Sequence, residues 1–237
     1  MICAIISDIH ANSVALDAVI NDISNRTIDR CICLGDIVGY CANPSEAISK
    51  VRMFDLILMG NHDNATFNPA AVERFNFHAR VAMEWTIKAL NKEEKTFLNG
   101  LPYRARENDA TFVHATPRNP ETWGYIMYID EALDAFNYFD TQICFVGHTH
   151  QRLAISDQGV RAFENKIFLK DENRYLINVG SVGQPRDGNP MSCYGIFDTD
   201  ERTFEYVRVQ YDISQTQDTM IKAKFPPFLI QRLSEGR

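Results

Sequence analysis

Three short apolar runs in the first sixty residues, ICAIIS, RCICL and FDLILM, each stop at a burst of Asp, Asn, Gly and His. Helix-patterned stretches separate them. ANSVALDAVIND follows the first run, and PSEAISKV, with a proline in its first turn, follows the second. Uninterrupted apolar strands that alternate with helices must be covered on both faces, which predicts βαβ units and a parallel sheet.

Further along, Val72, Phe75, Ala79, Ala82 and Met83 recur at three- and four-residue spacing, so residues 69–100 read as helical throughout. ATFVHA and QICFVGH read as strands, with a helix between them at DEALDAFNYF. From 152 to 211 the segments are short, β-rich and divided by turn residues, which predicts antiparallel hairpins forming a second sheet. From Ser214 the tail reads as helical around Pro226 and Pro227. No low-complexity linker or internal repeat interrupts the 237 residues. The expected organisation is one α/β (α+β) domain over 1–237, with two sheets and a helical insert at about 68–100.

Charge and cysteine usage narrow the functional classes. Lys and Arg number 24 against 31 Asp and Glu, a net charge of -7, so no general basic footprint exists for a polymeric nucleic acid. No apolar run approaches the ~20 residues that span a bilayer, and Asp8 and His10 follow the first run too soon for a signal peptide. The six cysteines contain no CxxC pair and lie mostly in apolar runs, where a thiol packs as a small hydrophobe. The expected setting is the cytoplasm, a reducing compartment.

The strand ends carry the chemistry. They read Asp8-Ile9-His10, Gly35-Asp36, Gly60-Asn61-His62-Asp63, Val113-His114 and Gly147-His148-Thr149-His150, and five of the six histidines fall in them. In open α/β sheets, ligands bind outside the carboxyl ends of the strands. Asp8 and His10 are two residues apart at a strand end, so their side chains point the same way and can share an ion; His148 and His150 repeat the arrangement. Asp36 brings two carboxylate oxygens, Asn61 an amide oxygen and His114 an imidazole, enough ligands for two ions if one carboxylate is shared. Asp and Asn after a strand more often cap a helix or form a turn, but that use does not explain five strand ends that all carry ligand types.

DxH, GDxxG, GNHD, a lone His after a strand, and GHTH, in that order over residues 8–150, resemble the calcineurin-like metallophosphoesterases. VHATPRNP, the helical insert with Trp85 and NVGSVGQPRDGNP at 178–190 extend the likeness, which is greatest to the compact bacterial phosphodiesterase and diadenosine-tetraphosphatase-like branch. The resemblance implies two mixed β-sheets packed as a sandwich flanked by helices. It implies two metal sites, one from Asp8, His10, Asp36 and His150, the other from Asp36, Asn61, His114 and His148. Two divalent or trivalent ions (Mn, Fe, Co, Ni or Zn) with a bridging hydroxide would then hydrolyse phosphate esters. His62 matches the family's non-ligand catalytic histidine, Asp63 is the nearest carboxylate in sequence to orient it, and Arg186 is the candidate phosphate-binding arginine. Where the Ser/Thr protein-phosphatase branch has Asp and Arg after its bridging Asp, this chain has Gly39 and Tyr40, which disfavours a protein phosphatase.

The expected partner is a small phosphorylated substrate, a nucleotide among the candidates, and neither a membrane nor a polymeric nucleic acid. The segment 67–85, with Arg74, Arg80 and several aromatics, is a candidate wall or lid over the metals. His78 reads as structural or surface, and Cys41 as near the site without ligating. Phosphodiesters or dinucleoside polyphosphates are the favoured substrates. The alternatives are a broad small-molecule phosphomonoesterase, and a non-catalytic scaffold of the same fold, which has no chemical reason to keep His62 beside a full ligand set.

Overall fold

The computed structural model describes residues 1–237. The chain begins β1 (Ile2–Ile6), α1 (Ser13–Ser24), β2 (Arg30–Cys33), α2 (Pro44–Val51) and β3 (Leu56–Ile57). Four helices follow, α3 (Asn61–Ala65), α4 (Pro69–Glu73), α5 (Phe77–Ala89) and α6 (Lys92–Asn99). Then come β4 (Arg104–Glu107), β5 (Ala110–Val113), α7 (Ile129–Ala135) and β6 (Ile143–Val146). The remainder is β7 (Arg152–Ser156), β8 (Arg161–Ala162), β9 (Lys166–Phe168), β10 (Tyr175–Val179), β11 (Ser192–Asp198), β12 (Thr203–Val209), α8 (Ile213–Lys222) and α9 (Pro227–Glu235).

Two mixed six-stranded sheets result, in the orders β3-β2-β1-β11-β12-β9 and β4-β5-β6-β10-β7-β8. β1 pairs parallel with β2, Ile5 opposite Ile32, and antiparallel with β11, Ile5 opposite Gly195. In the other sheet β10 pairs parallel with β6, Ile177 opposite Phe145, and antiparallel with β7. The expected second sheet built from 152–211 alone does not form. β7, β8 and β10 join β4–β6, while β9, β11 and β12 extend the first sheet. Short alternating segments state which face is buried but not which sheet they enter, and β11 and β12 find a ready edge in β1.

The continuous apolar character of β1 has a direct cause. Cys3 and Ile5 face the second sheet and pack with Phe112, Phe145, Ile177 and Phe204. Ala4 and Ile6 face outward and are covered by Leu16 and Val19 of α1 and by Ile48 and Val51 of α2. On the other outer face, Ala132 and Ala135 of α7 cover Cys144, Val146 and Leu176.

The insert is not one helical stretch. Asn76 caps α5 by accepting from Ala79 N–H at 3.0 Å, and Asn91 caps α6 by accepting from Glu94 N–H at 2.9 Å. Each Asn satisfies an orphan N–H at a helix start, which favours a new helix over a long one. α5 then packs with α8 and α9 around Tyr40 and Cys41. No helix is long and apolar enough to cross a membrane.

Candidate metal centre

The five bursts converge, but not by the geometry their spacing suggests. β1 ends at Ile6, and Asp8 and His10 lie in the loop beyond it with φ of 55° and 50°. Asp36, His148 and His150 adopt the same left-handed conformation, with φ of 53°, 67° and 61°. The two-residue alternation of a strand therefore does not orient these side chains. Packing of the loops against one another does.

The DxH loop hydrogen-bonds along the GDxxG loop: Asp8, His10 and Ala11 N–H donate to the carbonyls of Gly35, Asp36 and Ile37 at 3.0, 2.9 and 2.8 Å. The 178–190 segment closes the other side, with Val182 and Gly183 N–H donating to the carbonyls of Ser7 and Asp8 at 3.0 and 2.9 Å. A Cβ on Gly183 would lie 1.8 Å from the Ile9 carbonyl oxygen, so only glycine permits this approach. The carboxylates lock further loops. His148 N–H donates to Asp8 Oδ2 at 3.0 Å, and His62 N–H donates to Asp36 Oδ1 at 2.8 Å.

Two groups of donor atoms result, Asp8, His10, Asp36 and His150, and Asp36, His114 and His148, each with atoms within 4.8 Å of one another and all buried. Asp36 joins them. Its Oδ2 lies 3.5 Å from His10 Nε2 and 3.4 Å from His114 Nε2. Asn61 Oδ1 is 3.3 Å from His114 Nε2. All seven residues expected as ligands thus meet in one place.

The hydrogen bonds of the histidine rings fit a site that holds cations. His10 Nδ1 lies 3.1 Å from the Val38 carbonyl and His150 Nδ1 lies 2.6 Å from the Gln184 carbonyl. A carbonyl only accepts, so both rings carry their proton on Nδ1. Burial holds both rings well below the usual histidine pKa, so neither gains a second proton. Their Nε2 lone pairs nevertheless face each other at 3.0 Å. Two lone pairs at that distance repel unless a cation lies against both. His148 Nε2 is also buried without a hydrogen-bond partner, and burial lowers that ring to about 3.

The carboxylates separate. Burial pushes Asp8 up to about 7. Burial also opposes ionisation of Asp36, but the charge of His114 and then that of His62 outweigh it and hold Asp36 far below the usual carboxylate range. Burial alone would depress His114, yet the Asp36 carboxylate raises it to about 9. An all-nitrogen-and-oxygen set with imidazoles fits Mn, Fe, Co, Ni or Zn.

His62 stands beside the cluster without joining it, its ring 4.7 Å from that of His10 and stacked on Phe75 at 4.6 Å. Asp63 does not orient it. Asp63 Oδ1 accepts from Ile37 and Val38 N–H at 2.9 and 3.2 Å, and Oδ2 accepts from Gly60 N–H at 3.0 Å. The partner of His62 Nδ1 is Met83 Sδ at 3.2 Å. Gly39, with φ +94°, admits the ring, since a Cβ there would lie 2.4 Å from Nδ1.

A cavity of about 310 Å³ opens beside Asn61 and His148 and is lined by Arg74, Phe75, Tyr103, Trp123 and Tyr125. Arg74 and Phe75 come from the expected wall. Arg80 does not, pairing instead with Glu84 at 4.0 Å on the exposed face of α5. Tyr103, Trp123 and Tyr125 escape sequence reasoning; the aromatic run WGYIMY after His114 was the available signal for the last two, and Tyr103 had none. Trp85 packs on Phe225 at 5.0 Å, and His78 stacks on Phe228 at 4.6 Å, both away from the cluster. Cys41 is buried and joins neither donor group. Arg186 is half-buried, its guanidinium 5.4 Å over the Tyr40 ring and hydrogen-bonded to Gln184 Oε1 at 2.8 Å.

Comparison with known proteins agrees with this geometry. Residues 1–202 match the model of the calcineurin-like phosphoesterase superfamily domain. The uncharacterized protein MJ0912 of Methanocaldococcus jannaschii is 43% identical over 242 residues, which span 99% of this chain and 98% of that one. A metallophosphoesterase from Sphaerobacter thermophilus superposes with a TM-score of 0.90 at 40% identity, over 100% of this chain and 99% of that one. The hypothetical protein PH1004 from Pyrococcus horikoshii shares the fold, with a TM-score of 0.84 at 18% identity over 100% and 98% of the two chains. The chain belongs to the calcineurin-like phosphoesterase superfamily and is a metallophosphoesterase.

Proposed function

We propose that the whole chain, 1–237, acts as one phosphoesterase domain with a helical insert at about 68–100, and that it hydrolyses phosphodiesters or dinucleoside polyphosphates at a dinuclear centre. Asp8, His10, Asp36 and His150 would hold one ion, and Asp36, Asn61, His114 and His148 the other. The observation that carries this reading is the pair of imidazole lone pairs, His10 and His150 Nε2, buried 3.0 Å apart with no proton between them. Two divalent ions, when bound, supply the positive charge that neutralises phosphoryl oxygens and activates water near neutral pH.

The chain's own residues do the rest. Asp36, whose Oδ2 lies 3.5 Å from His10 Nε2 and 3.4 Å from His114 Nε2, would join the two sites. His62 delivers a proton to the departing oxygen. Burial holds its pKa down to about 4, and an anionic phosphoryl group docked beside it raises it again. Met83 and Phe75 fix its ring against rotation. The aromatic cavity takes the organic group of the substrate, and stacking there is worth about 1–3 kcal/mol for a nucleobase by analogy with single-strand binders. Arg186 contacts a phosphate oxygen. Six free thiols suit a reducing compartment, and we place the protein in the cytoplasm.

Dialysis against a strong chelator should abolish activity, Mn²⁺ should restore it, and elemental analysis at saturation should find close to two ions per chain. Full activity in metal-free protein would overturn the mechanism. At fixed Mn²⁺, bis-p-nitrophenyl phosphate and diadenosine tetraphosphate should be turned over ahead of p-nitrophenyl phosphate and AMP. The reverse order would make the protein a phosphomonoesterase.

A further inference from the structure

Arg186 forms no ion pair. The acid next to it in sequence, Asp187, is taken by Arg208 and Arg152. What Arg186 holds instead is an amide: Nε and Nη2 both donate to Gln184 Oε1, at 3.3 and 2.8 Å. A guanidinium presents its N–H groups on two edges, a side-on edge from Nε and one Nη, and an end-on edge from both Nη groups. Gln184 occupies the side-on edge. Nη1 and the second Nη2 proton, which make up the end-on edge, are left without a protein partner.

Gln184 is itself tied to the loops that carry Asp8 and His150, and it is fully buried. Its N–H donates to Ser181 Oγ at 2.9 Å, and Ser181 Oγ donates to the Asp8 carbonyl at 2.9 Å. Its carbonyl accepts from His150 Nδ1 at 2.6 Å, and Arg186 N–H donates back to the His150 carbonyl at 3.1 Å. Pro185 lies between the two residues, and its ring fixes φ there. The face of the guanidinium rests 5.4 Å from the centre of the Tyr40 ring, within cation–π range. Main chain, edge and face of Arg186 are thus each held by a different neighbour.

An amide is not the obvious holder for this edge. Gln184 Nε2 is buried without a hydrogen-bond partner, an unfavourable state for a donor. A glutamate would accept the same two N–H groups and leave no orphan donor, but its carboxylate would cancel the arginine's charge. The amide keeps that charge intact, and it keeps it beside the donor cluster. The Tyr40 ring that carries the guanidinium lies 4.6 Å from the His62 ring and 4.7 Å from the His10 ring.

We infer that Gln184 is a positioning residue for Arg186. Its amide oxygen fixes the side-on edge of the guanidinium, so that the end-on edge, with its charge uncancelled, takes the non-bridging oxygens of the phosphoryl group at the centre. The inference rests on the dinuclear phosphoesterase reading given above, with Arg186 as the arginine that meets phosphate. A guanidinium free to pivot loses its two-point match to those oxygens, and one paired with a carboxylate loses its attraction for them.

The test is a double-mutant cycle on the metal-loaded protein, with Gln184→Met, Arg186→Ala and the two combined, each checked for folding by circular dichroism and thermal melting. With bis-p-nitrophenyl phosphate, Arg186→Ala should lower kcat/KM about ten- to a hundredfold, the size of a lost charged hydrogen bond. Gln184→Met should lower it about three- to tenfold, and should lower it no further once Arg186 is gone. Gln184→Glu should lose as much as Arg186→Ala, because it holds the edge but cancels the charge. Metal content by elemental analysis should match wild type in every variant, since His150 bonds the main chain of Gln184 and not its side chain. Calorimetric titration with orthophosphate supplies a readout without turnover: Gln184→Met should weaken binding, and the double variant should bind as Arg186→Ala does. A Gln184→Met loss that persists in the Arg186→Ala background, loss of metal from Gln184→Met, or wild-type activity in Gln184→Met or Gln184→Glu would overturn the inference. Failure of wild type to hydrolyse any phosphodiester would instead overturn the dinuclear reading, and the phosphate titration would still judge the coupling of Gln184 to Arg186.

Discussion

Asp8, His10, Asp36, His148 and His150 all sit at positive φ, a region uncommon for any residue but glycine, although Asp and His enter it more readily than most. Such residues cost on the order of 1–3 kcal/mol each and persist only where their surroundings over-determine them. Here the interlocked loop backbones do so, and the return is convergence of donor atoms that no strand alternation could achieve. Two substitutions separate holding metal from moving a proton. Asp36→Asn should lose both ions and activity together, because a neutral amide is a poor bridge between dications and His114 loses the charge that faces it at 3.4 Å. His62→Gln should keep close to two ions per chain by elemental analysis but lose rate, roughly 10²–10⁴-fold for a removed general acid. The loss should be smaller for p-nitrophenolate, which departs with little need of a proton. Loss of metal from His62→Gln would show that His62 is a ligand.

At the scale of elements, the Asp63 carboxylate links the loop after β2 to the start of α3 through its three N–H partners. Asp63→Asn should place an amide donor against one of those N–H groups. Urea unfolding should show a loss of about 1–3 kcal/mol, the cost of an unmet buried donor, and the leaving-group dependence of kcat should remain that of wild type. If Asp63→Asn instead reproduces the leaving-group pattern of His62→Gln, Asp63 acts on the proton after all. The sequence already showed the order of the five bursts and the helices on either side of β2, because buried parallel strands and their ends have a local signature. The breaks at Asn76 and Asn91 were available as capping residues but were masked by apolar periodicity across them. The partition of β7–β12 between two sheets was not available, since a short strand's pattern names a buried face and not a neighbour. Met83 and Trp123 reach the site from two segments joined only by tertiary packing, and no spacing along the chain relates them.

Taken as a whole, the molecule places five of its six thiols in four separate regions of packing. Cys3 and Cys193 lie between the sheets, Cys33 under α1 and α2, Cys144 under α7, and Cys41 beneath α5 and the C-terminal helices. None is paired in a disulfide. Burial pushes Cys41 and Cys193 up to about 12, and pushes Cys33 and Cys144 higher still. An unfolded chain releases these protons near the ordinary thiol value of about 8.5, so above that pH the native state binds more protons than the unfolded one. Stability must then fall as pH rises, by up to about 1.4 kcal/mol per pH unit for each thiol, until the native thiols themselves titrate. His114 contributes an earlier loss in metal-free protein, because its proton, held to about 9 by Asp36 against an ordinary value of about 6.5, makes its stabilisation disappear between those two pH values, below the thiol range. Four thiols acting together can remove most of an ordinary domain's 5–15 kcal/mol within two or three pH units. The urea midpoint of metal-free protein should therefore drop steeply between about pH 9 and pH 11. At pH 8 the same four thiols should resist iodoacetamide in the native state and react fully in urea, with modified positions read by mass spectrometry. A flat urea midpoint across that range, or native labelling of Cys33 or Cys144 at pH 8, would show that the two-sheet packing opens more readily than its buried thiols require.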